Sequence, residues 1–257
     1  MQMNTLEKIR QCPVCGRSAA GAGDGEIGWV TGNTARFHDR PFPVWKCPDC
    51  QTIQSLTKVD MSDIYSDYPL HRMRLDFFGR RTMGNLLGRL EKAGLRKEDA
   101  ILDYGCGNGL FLQFLADRGY GRAAGYDPYV HEFEDKAVLA RTYDCVVAND
   151  VIEHTEDPRR LLKECAEYAR PGGLVYVGTP ESDGVDMADL GPHRLRFHQP
   201  FHRVVLSRKS LRTLASDAGL EVVATYARSY LDTRVPFANY RFLDEFNRAN
   251  GYDLDRA

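Results

Sequence analysis

Short apolar runs alternate with stretches in which apolar residues recur at helical spacing. The apolar runs at 101–104, 123–126, 143–149 and 174–177 are bounded by turn-forming or polar residues, which predicts buried parallel strands. Helical spacing is seen in the following ranges: 71–93, 110–118, 157–169 and 208–218. This order of strands and helices predicts an α/β domain with a parallel sheet over about 96–228.

The pattern divides the rest of the chain into three further parts. Residues 1–57 offer strand-forming residues but little core, and 58–95 form a linker and a cap helix leading into the sheet. Tyr65 and Tyr68 lie in the linker and are expected to fold over the neighbouring site. Residues 229–257 hold several aromatics without a strand pattern. Two alternatives stay open for them, a helix capping a substrate cleft and a contact within a homodimer.

Composition excludes some classes of function. The 257 residues are 43% hydrophobic, as in globular proteins, and their net charge of −2 argues against a dominant nucleic-acid surface. No apolar run approaches the roughly 18 residues of a membrane span. The first residues lack the basic-then-apolar pattern of a secretory signal, so a cytoplasmic location is expected.

A glycine-rich turn joins the first predicted strand of the sheet to a helix. Residues 101–109 read Ile-Leu-Asp-Tyr-Gly-Cys-Gly-Asn-Gly, and the glycines fall at 105, 107 and 109. Such a turn presents backbone N–H groups and a helix N-terminus to a nucleotide-like ligand. Asp127 ends the next predicted strand, where a carboxylate accepts hydrogen bonds from ribose hydroxyls. The two features predict an adenosine-containing cofactor.

The spacing of the turn selects among such cofactors. A dinucleotide fingerprint places a third glycine at position 110, where this chain has Leu110. Asp103 precedes the first glycine by two positions, where it would repel a pyrophosphate but receive an amino group. The turn resembles motif I of class I S-adenosylmethionine-dependent methyltransferases.

Three further segments resemble that family, in the order the family has them. Residues 143–154 are similar to its fourth strand and the loop after it, 170–177 to the turn and fifth strand, and 202–223 to the closing strand–helix–strand segment. The resemblance covers roughly 70–228 and implies a Rossmann-like methyltransferase sheet. It implies S-adenosylmethionine as cofactor, bound by Asp103, Gly105, Cys106, Gly107, Asn108, Asp127, Pro128, Asn149 and Asp150.

One segment departs from the family. The stretch between Asp127 and Tyr143 is too short for the helix and third strand that the family usually places there. A very short strand is predicted at 138–140, with 129–133 in place of the helix. The adenine pocket is therefore expected to be built differently.

Four cysteines form two Cys-x-x-Cys pairs ahead of the sheet: Cys12, Cys15, Cys47 and Cys50. Two such pairs complete the tetrahedral thiolate set that zinc prefers, and a domain of this size with little core needs such a staple. The pattern predicts a structural zinc ribbon. Disulfides and a redox pair are the alternatives, and a reducing compartment disfavours the former.

Candidate acceptor-side residues follow the fourth strand. Asp150, Glu153 and His154 are similar to a segment of ubiquinone-biosynthesis O-methyltransferases, where an acid–acid–His set is associated with a divalent metal. The resemblance implies His154 as a general base or metal ligand; the alternative is that Glu153 and His154 only cap and orient the next helix. His202 matches a histidine of the family's closing segment and is expected near the acceptor, or packed in a strand. His193 and His198 are candidates by position.

The resemblance implies an enzyme that methylates O, N or C of a small-molecule acceptor, such as a biosynthetic intermediate of sugar or quinone-like type. The ribbon with residues 51–54 resembles the front of deoxysugar C-methyltransferases, which implies a sugar-nucleotide acceptor as one candidate. Two alternatives stay open. One is an RNA methyltransferase with a zinc module, and the other is a non-catalytic adaptor that binds the cofactor.

Overall fold

The computed structural model describes residues 11–19, 26–38, 40–66, 68 and 74–227. The predicted C-terminal extension, 229–257, lies outside the described residues.

An antiparallel sheet forms the front of the molecule. Strands β1 (Ile27–Thr31), β2 (Pro41–Lys46) and β3 (Ile53–Ser55) pair in sequence order. The Trp45 side chain is fully buried under this sheet, and both Cys-x-x-Cys pairs flank it. We call residues 11–57 the ribbon.

Two helices connect the ribbon to the second sheet. Helix α1 (Met61–Tyr65) begins after Asp60, whose carboxylate accepts from the backbone N–H groups of Ser62 and Asp63. Helix α2 (Phe77–Lys92) begins after Asp76, whose carboxylate accepts from the Gly79 amide. In both helices, the side chain before the first turn accepts hydrogen bonds from backbone N–H groups that have no partner within the helix. Helix α2 supplies the cap helix predicted over 71–93.

The second sheet is parallel and confirms the predicted α/β class. Its elements are β4 (Ile101–Tyr104), α3 (Leu110–Asp117), β5 (Ala123–Tyr126), β6 (Tyr143–Asn149), α4 (Pro158–Tyr168) and β7 (Ala169–Gly178). The strand order is β5-β4-β6-β7, with every neighbour parallel. The carboxyl ends of these strands therefore meet at one edge, which is where open α/β sheets bind ligands.

The closing segment differs from the prediction. After helix α5 (Arg194–Phe197), strand β8 (Val204–Val205) pairs antiparallel with β3 of the ribbon instead of extending the parallel sheet. Helix α6 (Arg208–Asp217) follows as predicted, but no strand forms at 220–223. Val222 and Val223 are 49% and 72% exposed, so the apolar pattern there finds no partner strand among the described residues.

The short segment between β5 and β6 also differs from the prediction. Residues Lys136–Ala140 form a 3₁₀ turn, not a strand, because the Asp135 carboxylate accepts from the Ala137 amide and caps a helical start. A second 3₁₀ turn, His131–Phe133, takes the place of the family's helix, as the sequence predicted.

The two sheets share one core. Cys12, Val14 and Trp45 of the ribbon belong to the same buried cluster as Leu102 of β4 and Leu214 of α6. Hydrogen bonds add to this packing: the Cys50 carbonyl accepts from the hydroxyls of both Ser207 and Ser210, at 2.6 and 3.0 Å. The ribbon is thus built into the molecule. Among the described residues, no helix combines the length and apolarity needed to cross a bilayer.

Candidate functional site

The glycine turn can be built only with glycine at two of its positions. Gly105, Gly107 and Gly109 have φ of +75°, +53° and +75°, in the left-handed region. A Cβ on Gly105 would lie 2.5 Å from Val151 Cγ2, and one on Gly109 would lie 2.6 Å from the Phe133 ring. A Cβ on Gly107 would meet nothing within 4 Å, so the middle of the turn is open to a ligand.

Asp127 holds the turn in place. Its side chain is buried, and its Oδ2 accepts from the Gly107 amide while Oδ1 accepts from the Tyr129 amide, each at 2.9 Å. A carboxylate has about four acceptor positions, so these bonds leave capacity for ribose hydroxyls. Pro128, the next residue, is exposed, whereas Cys106 and Asn108 are half-buried within the turn.

Asp103 is a buried carboxyl group at the end of β4. Burial, together with the charge of Asp127, raises its pKa from 3.8 to about 7. A cationic amino group beside Asp103 would offset both the burial and the negative charge of Asp127, and would therefore favour the ionised carboxylate. The residues thus fit an amino-acid-bearing nucleoside such as S-adenosylmethionine. The Cys106 thiol is held protonated because burial raises its pKa, so it is no nucleophile.

Asn149 and Asp150 occupy the carboxyl end of β6. Asp150 has φ +56°, and Asn149 Nδ2 donates to its Oδ2 at 2.8 Å. Non-glycine residues in this conformation are uncommon and concentrate at functional sites. Val151, which packs against Gly105, follows directly.

Two histidines distant in sequence meet beside this edge. The His154 and His202 rings have centroids 4.7 Å apart. His154 Nδ1 lies 2.6 Å from the Tyr65 hydroxyl, and His202 Nδ1 lies 2.8 Å from the Arg196 carbonyl. Because a carbonyl only accepts, His202 carries its proton on Nδ1 and keeps the lone pair of Nε2.

Both imidazoles are neutral at physiological pH. Burial and the neighbouring His202 and His198 hold the pKa of His154 well below its usual range, and burial lowers the pKa of His202 to about 4. Glu153 is fully buried beside them. One ligand atom from each of Glu153, His154 and His202 lies within 4.8 Å of the others. Asp150, which the sequence grouped with Glu153 and His154, is not part of this set among the described residues.

A third histidine, which is buried, extends the group toward the ribbon. The His198 ring lies 5.2 Å from that of His202, and its Nδ1 is 2.8 Å from Asn33 Oδ1. We call His154, His198 and His202 the imidazole cluster. His193, also a candidate by position, is half-buried and is not part of this cluster.

Tyr65 links the cluster to the glycine turn. Its ring stacks on Tyr129 with centroids 4.3 Å apart, and Tyr129 in turn donates its amide to Asp127. Tyr65 of the linker thus lies between the imidazole cluster and the glycine turn. Sequence reasoning missed Asn33 and the Arg196 carbonyl, because no spacing rule connects them to the histidines.

The four ribbon cysteines converge. Cys12 and Cys50 sulfurs are 3.4 Å apart, those of Cys15 and Cys47 are 3.5 Å apart, and all four lie within 4.8 Å of one another. Sulfurs bound to zinc at about 2.3 Å in a tetrahedron are about 3.8 Å apart. The pKa of Cys50 is lowered to about 4 by the Cys12 thiol, which favours a thiolate there. The donor set fits zinc.

Comparison with known proteins agrees with this geometry. Residues 74–225 match the family model described as a methyltransferase domain. Ubiquinone biosynthesis O-methyltransferases of Citrobacter koseri and of Escherichia coli O127:H6 are each 30% identical over 140 residues, covering 45% of this chain and 53% and 54% of the relative. The chain therefore spans about half the length of the curated relatives it matches.

A solved structure shares the fold. It is a chain from a complex between the Haloferax volcanii Trm112 methyltransferase activator and a methyltransferase. It is 20% identical, with a TM-score of 0.52, and the match covers 76% of this chain and 95% of that one.

Proposed function

The chain belongs to the class I S-adenosylmethionine-dependent methyltransferases, and we propose that it transfers a methyl group to a small-molecule acceptor. The observation that carries the proposal is the Asp127 carboxylate bonded to the Gly107 amide within a turn that opens helix α3. Next to it lies Asp103, a buried carboxyl group in need of a cation.

Each end of the cofactor has residues suited to it. Asp103 and the Gly105–Gly109 turn would hold the amino-acid half, and Asp127 the ribose. When bound, the cofactor supplies a methyl group already activated by a sulfonium. The chain then has to position the acceptor and exclude water. Positioning alone lowers the activation free energy by roughly several kcal/mol.

On the acceptor side, we assign Glu153, His154 and His202 to a divalent cation. Two neutral imidazoles and one carboxylate are a common donor set for zinc and iron(II). The His202 Nδ1–H···O=C bond to Arg196 is the kind of outer contact that orients a ligating imidazole. A base with a pKa of about 4 is a weak proton acceptor at pH 7, so metal binding suits His202 better than general-base catalysis.

The ribbon cysteines are assigned to one structural zinc ion, because four closely placed sulfurs leave no open coordination position. This zinc stabilises the fold and takes no part in the reaction.

The cofactor assignment is tested by calorimetry with S-adenosylhomocysteine on the full chain. We expect saturable binding at one site, and no binding of NAD. Incubation of S-adenosylmethionine with catechols, sugar nucleotides and RNA fragments then identifies the acceptor class by release of S-adenosylhomocysteine. Release with RNA alone would replace the small-molecule proposal, and tight binding without turnover on any acceptor would favour an adaptor.

The metal assignment is tested by elemental analysis. We expect the full chain to hold two metal ions, and His202→Ala to hold one. His193→Ala is the matched control, since His193 belongs to neither group of clustered ligand atoms among the described residues, and it should retain both. Equal metal content in parent and His202→Ala would remove the acceptor-side cation and return His154 to a structural role.

A further inference from the structure

Three buried hydroxyl groups connect Cys50, one of the four cysteines assigned to zinc, to the start of helix α6. They belong to Thr52, Ser207 and Ser210, which are 0%, 1% and 0% exposed. Thr52 Oγ1 lies 3.3 Å from Cys50 Sγ and 2.7 Å from Ser210 Oγ, and Ser207 Oγ lies 2.9 Å from Ser210 Oγ. Because burying a polar group is costly unless it is bonded, each of these hydroxyl protons needs an acceptor.

Side chains from outside the ribbon also hold the backbone of the second Cys-x-x-Cys pair. Lys209 Nζ donates to the Asp49 carbonyl at 2.9 Å, and the Ser182 hydroxyl donates to the Gln51 carbonyl at 2.7 Å. The Cys50 carbonyl between them faces the two serines of the α6 start. Gln51 has φ +63°, an uncommon conformation that persists where the surrounding contacts impose it. This part of the zinc site is therefore shaped by the rest of the chain as well as by the ribbon.

Zinc would fix the direction of the hydroxyl chain. A cysteine ligates zinc as the thiolate, which has no proton and only accepts, so Thr52 has to donate to Cys50 Sγ. Ser210 is then the donor in its 2.7 Å bond with Thr52. The Ser207 hydroxyl donates to the Cys50 carbonyl at 2.6 Å. Each of the three protons has an acceptor in this arrangement, and the chain of hydrogen bonds ends on the sulfur.

We propose that Thr52 and Ser210 are positioning residues of the ribbon's zinc site. The Thr52 hydroxyl donates a hydrogen bond to the zinc-bound thiolate of Cys50, and Ser210 orients that hydroxyl. The inference rests on the zinc assignment of the proposed function and extends it, because helix α6 lies within the residues that match the methyltransferase family. Loss of an outer contact of this kind lowers metal affinity by about 10–100-fold.

The test uses the full chain, freed of metal and reduced, and titrated with cobalt(II). Thiolate-bound cobalt gives a sulfur-to-metal charge-transfer band that imidazole and carboxylate ligands do not give, so the band reports the ribbon site alone. We expect Thr52→Val to weaken cobalt binding by about tenfold. The band should also move to lower energy, because a thiolate that loses a hydrogen-bond donor gives up electrons more readily. Thr52→Ser keeps the hydroxyl and should restore the parent's affinity and band.

Ser210→Ala tests the second residue independently. It leaves the Thr52 hydroxyl in place but removes the group that orients it, so we expect changes in the same direction and smaller than those of Thr52→Val. Thr213→Val is the matched control, because the Thr213 hydroxyl lies on the same helix and donates to the Lys209 carbonyl. This variant should keep the parent's cobalt affinity and band energy.

The band energy separates this role from a merely structural one. If the hydroxyls only hold α6 in place, the variants would melt at a lower temperature with cobalt affinity and band energy unchanged, which would overturn the inference. Equal band shifts in Thr52→Val and Thr213→Val would overturn it as well. Should Thr52→Val fail to fold, Ser210→Ala decides on the same two readouts. A parent chain without any thiolate band would instead overturn the zinc assignment, and the methyl-transfer proposal stands apart from all these results.

Discussion

The cofactor end and the acceptor end of this site are built in opposite ways. Most of what shapes the cofactor end lies between Asp103 and Phe133, in one strand–turn–helix unit and the loop after the next strand, and Val151 after β6 adds a contact with Gly105. The acceptor end draws Asn33 from the ribbon, Tyr65 from α1, Glu153 and His154 from the loop after β6, and His198 and His202 from the loop around α5.

This difference shows which part of the molecule each end of the site depends on. The turn is specified by backbone geometry and by a carboxylate bonded to a nearby amide, so its shape is set locally, although its sheet shares a core with the ribbon. The acceptor end exists because the ribbon packs against the parallel sheet and pairs β3 with β8. We therefore expect damage to the ribbon to affect the acceptor end first.

The largest expected effect comes from Cys47→Ser. Structural zinc sites contribute on the order of 10 kcal/mol, so loss of one thiolate should release this ion and disorder the ribbon. We expect the NMR signals of the imidazole cluster to move to the chemical shifts of solvated histidine. The affinity for S-adenosylhomocysteine should change by less than about tenfold. Metal analysis and calorimetry measure the two ends separately. Retained zinc, or an equal loss of the histidine signals and of cofactor affinity, would contradict the claim that the ribbon supports mainly the acceptor end.

Asp127→Ala should damage the cofactor end alone. The Gly107 and Tyr129 amides lose their acceptor, and the ribose loses its carboxylate. Hydrogen bonds to a charged group contribute about 1.5–3 kcal/mol, so we expect calorimetry to give roughly 100-fold weaker binding of S-adenosylhomocysteine. Asp135→Ala is a matched control, because that carboxylate also accepts from a backbone amide, that of Ala137, away from the turn. Similar losses in both variants would remove Asp127 from its ribose role.

Asp103 should make cofactor affinity depend on pH. Its folded-state pKa of about 7 lies above the unfolded value of 3.8, so the cofactor-free chain holds an extra proton and loses stability as pH rises through this window. Only the ionised carboxylate pairs with the cofactor's amino group, so affinity should rise about tenfold from pH 6 to pH 8. Calorimetry at both pH values measures this. Asp103→Asn should give a flat profile, and an equally steep one would contradict the pairing.

Ser55→Ala should have the smallest effect, and only on the acceptor end. The Ser55 hydroxyl donates to Gln199 Oε1 at 2.8 Å, and Gln199 Nε2 donates to the His202 carbonyl at 2.7 Å. Losing the first bond leaves a buried acceptor unpaired, so we expect a cost of about 1–2 kcal/mol in unfolding free energy, measured by urea titration. Ser66→Ala, which removes an exposed hydroxyl bonded to Asp63, should cost less. Equal costs would show that the ribbon contact does not support the histidine loop.

Sequence patterns predicted where helices and strands form better than they predicted which strands pair with each other. The helices over 110–118, 157–169 and 208–218 formed as α3, α4 and α6, because amphipathic spacing and caps such as Ser207 act within one turn of helix. Val204–Val205 was predicted as a strand, but its alternation carries no information on which sheet edge it meets. The ribbon offered the free edge of β3. The apolar residues at 220–223 met no strand at all.

The candidate residues divide in the same way. Asp103, the turn glycines and Asp127 were identified from sequence because positive φ and close packing leave glycine as the residue that fits, and because a carboxylate at a strand end has few other roles. His154 and His202 were each singled out, yet their meeting was not foreseeable, since 3.6- and 2-residue periodicities describe contacts within an element and not between distant loops.

The sequence alone determined the α/β class, the glycine turn with its two carboxylates and the four cysteines of the ribbon, because each depends on residues whose backbone or ligand preferences act locally. Only the tertiary structure decided that the ribbon shares a core with the parallel sheet, that His202 and Glu153 stand together, and that Asn33 faces His198. Those contacts arise from the packing of whole surfaces, where the gain is spread over many side chains and no single spacing records it.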